Sequence, residues 1–187
     1  MVREASAVAK IFLFCILAAI GYGIMHDQVT ARVCVEYFTI GHEPIIASKS
    51  PTLLGLIWGV TATWWVGFLL AWPLSIATRW GTRPRLDVEH LRRPVFILLI
   101  GMSLLAVFAG LIGRNLAMHG HIVLTEPLAS RVPRNHHAAF IADTFAHSTS
   151  YLVGFIGGIV VIVNCWWKRR MLAAGIPIQV HRRNGEQ

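Results

Sequence analysis

Charge is what this sequence has least of. Asp, Glu, Lys and Arg make up only 14% of its 187 residues, while 55% are hydrophobic. Ordinary soluble domains carry roughly 25% charged residues, so the apolar excess is too large for one water-soluble core of this size. Acidic groups are scarcest, nine against 17 Lys and Arg, which leaves a net charge of +8. Cysteine is scarce as well. Cys15, Cys34 and Cys165 form no CxxC pair, which argues against a disulfide framework or a cysteine-based zinc motif. Also lacking are an HExxH motif, paired ExxH motifs and a nucleophile elbow, so no enzyme class is indicated.

The apolar residues that dominate fall into four long blocks in what reads as a single domain. In hydrocarbon a backbone must satisfy its own N–H and C=O groups, as a helix or a closed barrel. The blocks are continuous and show none of the alternation of barrel strands. The expected fold is therefore all-α, an integral membrane four-helix bundle with irregular outer loops. The spans are placed at about 6–26, 52–78, 94–114 and 137–167, each with about 20 or more residues, enough to cross a core of roughly 30 Å. Ser50 as a cap and Pro51 at the first helical position open the second span, and Pro73 is expected to kink it. Lys168, Arg169 and Arg170 read as a stop run after the fourth. The first span could instead be a cleaved signal peptide, but no convincing small-residue cleavage site follows it.

Basic residues give the orientation. The N-terminal tail, the loop from Arg79 to Arg93 and the C-terminal tail hold 12 of the 17 Lys and Arg; Arg32, Lys49, Arg114, Arg131 and Arg134 lie on the other side. Positive charge collects in the cytoplasm, so both termini are expected inside. The Arg79–Arg93 loop is then a topogenic signal against anionic headgroups, which accounts for the basic balance without nucleic acid. Small residues at four-residue spacing (Gly55, Gly59, Thr63 and Gly67; Ser150, Gly154 and Gly158; Ala109 and Gly113) let helix backbones approach closely. Packing within the bundle is the expected use, with a homo-oligomer face as the alternative.

Histidines are unevenly placed. His26, His42, His119, His121, His136, His137 and His147 map to the outer half, with Asp27, Glu36, Glu43, Glu126 and Asp143; only His90 and His181 are cytoplasmic. Imidazole and carboxylate are the usual ligands of zinc, iron and copper. His136, Asp143 and His147 are spaced to share one helix face. Ionisable groups at that depth should face the bundle interior, paired or bound. An Asp143–His147 hydrogen bond and metal ligation both satisfy that requirement. If the first helix continues past His26, Thr30 falls beside it and Arg32 pairs with Glu36. His26 or Asp27 could then meet Asp143 and His147 across the bundle, with His119 or His136 as further ligands. His42 lies in a turn and is not a favoured ligand. Tyr37 and Phe38 read as interfacial aromatics, and Trp64 and Trp65 fall mid-span.

The segment His26-Asp27-Gln28-x-Thr30, followed by Glu36-Tyr37-Phe38-Thr39 and His42, resembles a segment of small bacterial inner-membrane proteins with the pattern HDQxTxxxxxEYFT just after the first transmembrane helix. The resemblance covers about seventeen residues and implies a bacterial envelope protein. It brings no activity, cofactor or substrate with it.

Three functions compete. The first is a divalent transition-metal site (zinc, iron or copper) on the extracytoplasmic face, drawn from His26, Asp27, His119, His136, Asp143 and His147, serving catalysis or metal handling. The second is a non-enzymatic scaffold or accessory subunit whose outer loops bind a membrane or periplasmic protein. The third is a b-type haem between His26 and His147.

Overall fold

The computed structural model describes residues 2–176. The expected cytoplasmic C-terminal tail, with His181, Arg182 and Arg183, lies outside the described residues. All regular structure among the described residues is helical: α1 (Val2–Val33), α2 (Val35–Thr39), α3 (Pro51–Thr61), α4 (Trp64–Arg79), α5 (Val88–Met118), α6 (Leu128–Arg131) and α7 (His137–Ala173), the last preceded by a 3-10 turn over Arg134–His136. Four helical stretches, Val2–Val33, Pro51–Arg79, Val88–Met118 and Arg134–Ala173, are long and apolar enough to cross a membrane.

Every stretch overruns its expected span. α1 continues through His26 and Asp27 to Val33, and α5 begins six residues before Pro94. Apolar length marks where hydrocarbon begins, whereas a helix persists into polar surroundings when its charges pair. Arg92 and Glu89, three residues apart at the start of α5, meet at 3.0 Å and do this. The Ser50 cap is as expected, its hydroxyl accepting from the Leu53 N–H with Pro51 at the first position. The second span is interrupted before Pro73. α4 runs through Pro73, and the break falls at Ala62–Thr63, where the Thr63 N–H bonds back to Val60 and its hydroxyl donates to the Gly59 carbonyl.

Two halves make the bundle, α1 with α3 and α4, and α5 with α7. Glycine sets the first. A Cβ on Gly23 would collide with the Gly59 carbonyl and Thr63, and one on Gly67 with the Cys15 carbonyl. The Gly55, Gly59, Thr63 and Gly67 stripe is thus used within the chain, against α1. Gly158 and Gly154 likewise face Leu70 and Met102. Trp64 and Trp65 are about half exposed on the outside of α4.

At the end where α4 leads to α5, an apolar cluster of Ile11, Cys15, Leu74, Leu86, Leu91 and Cys165 joins the halves. Over it lies a set of ion pairs. Glu4 takes Arg79 at 3.0 Å and Arg85 at 2.7 Å, and Arg79 also meets Asp87 at 2.7 Å. Arg169 departs from its reading as part of a stop run. It is 3% exposed, and its guanidinium donates to the carbonyls of Ala77, Trp80, Arg83 and Pro84. The last carbonyls of a helix have no partners of their own and attract a cation; Arg169, reaching from α7, supplies it to α4. Its neighbour Arg170 is exposed and lies over the Trp166 ring.

Arg169→Ala should therefore lower stability by roughly 3 kcal/mol, since hydrogen bonds from a charged donor are lost together. Arg170→Ala should change it by less than about 1 kcal/mol. Thermal unfolding of the two detergent-solubilised variants separates them; equal effects would remove this role from Arg169.

Candidate functional site

The opposite end of the bundle is held by α2. α1 ends at Val33 because the chain turns at Cys34, whose backbone is extended. This turn defeats the expected Arg32–Glu36 pair, which needs an unbroken helix. Arg32 instead bonds the Gln28 side chain at 2.7 Å and Thr52 at 2.8 Å, and Glu36 crosses to His136 Nδ1 at 2.8 Å. The turn also swings Tyr37 and Phe38 inward. Phe38 is 2% exposed against Ala31 and Leu54, and the Tyr37 ring stacks on His147 with centroids 4.4 Å apart. Neither is an interfacial aromatic at a surface.

Beneath α2, His26, Asp27 and His147 come together, with one ligand atom of each within 4.8 Å of the others. Asp27 is 5% and His147 9% exposed. The local geometry follows from helical spacing. His147 Nδ1 lies 2.9 Å from the backbone carbonyl of Asp143, one turn earlier. A carbonyl only accepts, so Nδ1 carries a proton. In neutral imidazole the lone pair is then on Nε2, which lies 3.3 Å from Asp27 Oδ1. Two acceptors at that distance require a proton or a cation between them. His26 meets His147 edge-on, centroids 4.6 Å apart, and its buried Nε2 has no hydrogen-bond partner. Thr30 donates to the His26 carbonyl at 3.2 Å, so the two do lie together.

Of the six candidate residues, these three converge. Asp143 is 1% exposed beside them, with Oδ2 unpartnered, but it is not one of the converging three. The expected Asp143–His147 bond uses the Asp143 main chain; the carboxylate that meets His147 belongs to Asp27. His136 lies at the rim with Glu36. His119 ends α5, bonds the Asn115 carbonyl and stacks on His121, exposed. His136 closes the 3-10 turn before α7, and helical rise puts it about 16 Å above His147, a difference in depth that shared-face spacing does not register.

Sequence reasoning missed the residues lining the space under the cluster. A cavity of about 710 Å³ lies between the two halves, with His26, Asp27, His147, Tyr22, Trp58 and Ser150 near one end and Pro73, Leu74 and Val161 near the other. The Tyr22 and Ser150 hydroxyls bond across it at 2.7 Å, and the buried Trp58 Nε1 has no partner. Ser150 belongs to a small-residue stripe already expected to pack inward, and that was the one signal available; nothing in the spacing marked Trp58. His42, disfavoured as a ligand, packs its ring against Tyr37 and Trp58.

No family model matches this chain, and no curated protein or solved structure is significantly similar to it. Over the described residues the chain is all-helical, with four helical stretches of membrane-spanning length and a largely buried His–Asp–His cluster.

The Glu36–His136 bridge responds to pH. Partial burial pushes the Glu36 carboxyl up, but hydrogen bonds from His136, from its own backbone and from Cys34 outweigh it and hold the carboxyl below its usual range. A depressed folded value stabilises above the unfolded carboxyl pKa, about 4.3, and is lost as pH falls through the folded value. Glu36→Gln should cost up to about 1 kcal/mol at neutral pH, as expected for a partly exposed pair. The difference from wild type should shrink as pH drops below about 4. Melting curves at neutral and acid pH check this.

Proposed function

We propose that this chain is a four-span protein of the bacterial inner membrane, with both termini cytoplasmic, that binds a divalent transition metal through His26, Asp27 and His147 near its extracytoplasmic face. The membrane assignment is supported by four long apolar helices and by the basic residues at the Arg79 and Arg169 end, where the positive-inside rule puts the cytoplasm.

The observation that carries the metal reading is the His147–Asp27 contact. Nδ1–H donated to a backbone carbonyl, with Nε2 free, is the arrangement that holds metal-ligating histidines in tautomer and orientation. Two ligands about 2.0–2.1 Å from a tetrahedral ion stand about 3.3–3.4 Å apart, and Nε2 and Oδ1 are 3.3 Å apart. Charge points the same way. Asp27 and Asp143 are both buried, and neither pairs with Lys or Arg among the described residues. Buried carboxyls demand protons or a cation. Three protein ligands leave a coordination position open, as catalytic and metal-handling sites do; a metal held there would polarise an oxygen or acidify a bound water.

The haem alternative is less well supported. Axial histidines stand on opposite faces of a macrocycle, whereas the His26 and His147 rings touch at 4.6 Å between centroids.

Elemental analysis of the purified protein tests the proposal. Wild type and the His119→Ala and His136→Ala variants should carry stoichiometric metal, with zinc, iron and copper as the ions to quantify. Asp27→Asn and His147→Ala should lose it, since removing one of three ligands exceeds the 10–100-fold weakening seen for supporting residues alone. Folded wild type that takes up none of these ions even when they are supplied would overturn the reading.

A further inference from the structure

The cavity beneath the cluster has a composition and an opening that the metal reading does not use. Apart from the cluster itself, Thr63, Ser150, His42 and the tyrosines Tyr22, Tyr37 and Tyr151, its walls are aliphatic and aromatic. It runs along α7 from His147 to Val161, about 21 Å at helical rise, more than half of a hydrocarbon core of roughly 30 Å. One side is not closed. Trp65 and Leu69 of α4, and Phe155 and Ile159 of α7, line the cavity and are also 46%, 57%, 71% and 47% exposed. In a bilayer this places a lateral opening between α4 and α7, facing acyl chains.

The closed end is polar, and its polar groups lack partners. The Trp58 indole N–H is a donor only, and its Nε1 is buried without an acceptor. His26 Nε2, on the same wall, is likewise unpartnered. Unsatisfied buried groups are costly unless a bound group completes them. Asp27 at the same end and Asp143 beside it, neither paired with Lys or Arg among the described residues, together match the charge of a divalent ion held there, so no net positive charge is left to favour an anionic head.

We infer that the cavity binds a single-chain lipid with an uncharged, oxygen-bearing head, its chain entering between α4 and α7 and its head oxygen accepting from Trp58 Nε1–H beside His26. The inference deepens the proposed site by naming the class of molecule brought to its open position. It rests on that reading for the head's destination and on the cavity alone for the chain.

The test uses wild-type protein in lipid nanodiscs with a photoreactive long-chain fatty alcohol, and separately a phospholipid carrying the same photoreactive chain, with labelled peptides mapped by mass spectrometry. The alcohol should label the cavity faces of α4 and α7, and the phospholipid only outward positions. Gly154→Leu places a side chain in the cavity against the flexible end of Met102 and should abolish cavity labelling while keeping the metal. Trp58→Phe keeps the ring and loses one hydrogen bond, so half-saturation by the alcohol should need about fivefold more probe. Labelling unchanged in both variants, or a preference for the phospholipid, overturns the inference. Metal-free protein whose cavity labelling still depends on Gly154 and Trp58 would fell the metal reading and leave this one standing. Metal-loaded protein without cavity labelling would do the reverse.

Discussion

Asp27 and His147 face each other across the two halves of the bundle with an acceptor on each side, and neither can remain there unneutralised. Helix α1 is fixed against α3 and α4 by backbone contact at glycine, and α7 is fixed against α5 by side-chain packing, so neither residue can withdraw without moving a helix. The proton on His147 Nδ1 is already committed to the Asp143 carbonyl. What remains is a proton between Nε2 and Oδ1 or an ion coordinated by both. Removing one partner of a buried charged pair typically costs roughly 3–5 kcal/mol, so this contact holds the His147 end of the bundle together whichever species fills it.

The two ends of the molecule contrast in how their charged groups are paired. At the Arg79 end, Glu4 is shared between two arginines, and Arg169 serves four carbonyls. Among the described residues His26 Nε2, Trp58 Nε1 and Asp143 Oδ2 are buried without partners at the Asp27 end, and Ser75 Oγ and His90 Nδ1 toward the Arg79 end, but only the Asp27 end leaves a buried carboxylate unpaired. Native interiors pair nearly all such atoms, and departures from that rule gather at functional sites. The end whose charges are paired anchors the bundle, and the end with an unpaired buried carboxylate faces a cavity.

Much of the fold was legible because helices long and apolar enough to cross a membrane announce themselves by uninterrupted apolar length. The number of long helices, the Ser50 cap and the inward use of the glycine stripe all follow from local spacing. Local spacing also brought His26, Asp27, Asp143 and His147 under suspicion. It could not say that the turn at Cys34 would fold Tyr37 onto His147, that Glu36 would reach His136 instead of Arg32, or that His147 would take its carboxylate from α1. These are pairings between residues as much as 120 positions apart, decided by which helices pack together. Arg169 was opaque for the opposite reason. A basic residue after an apolar run reads as a solvated flank, and its burial depends on where the Arg79–Asp87 loop folds back.

The most direct test of the central contact is the protonation of the His147 ring, read from imidazole nitrogen chemical shifts in nitrogen-15-labelled protein before and after chelation, with His147→Ala to assign the signals. One protonated nitrogen, Nδ1, is expected, with an Nε2 signal at a metal-bound position that moves when the ion is removed. An imidazolium with both nitrogens protonated, unchanged by chelator and by added zinc, iron or copper, would contradict it and leave Asp27 and His147 as a salt bridge between two helices.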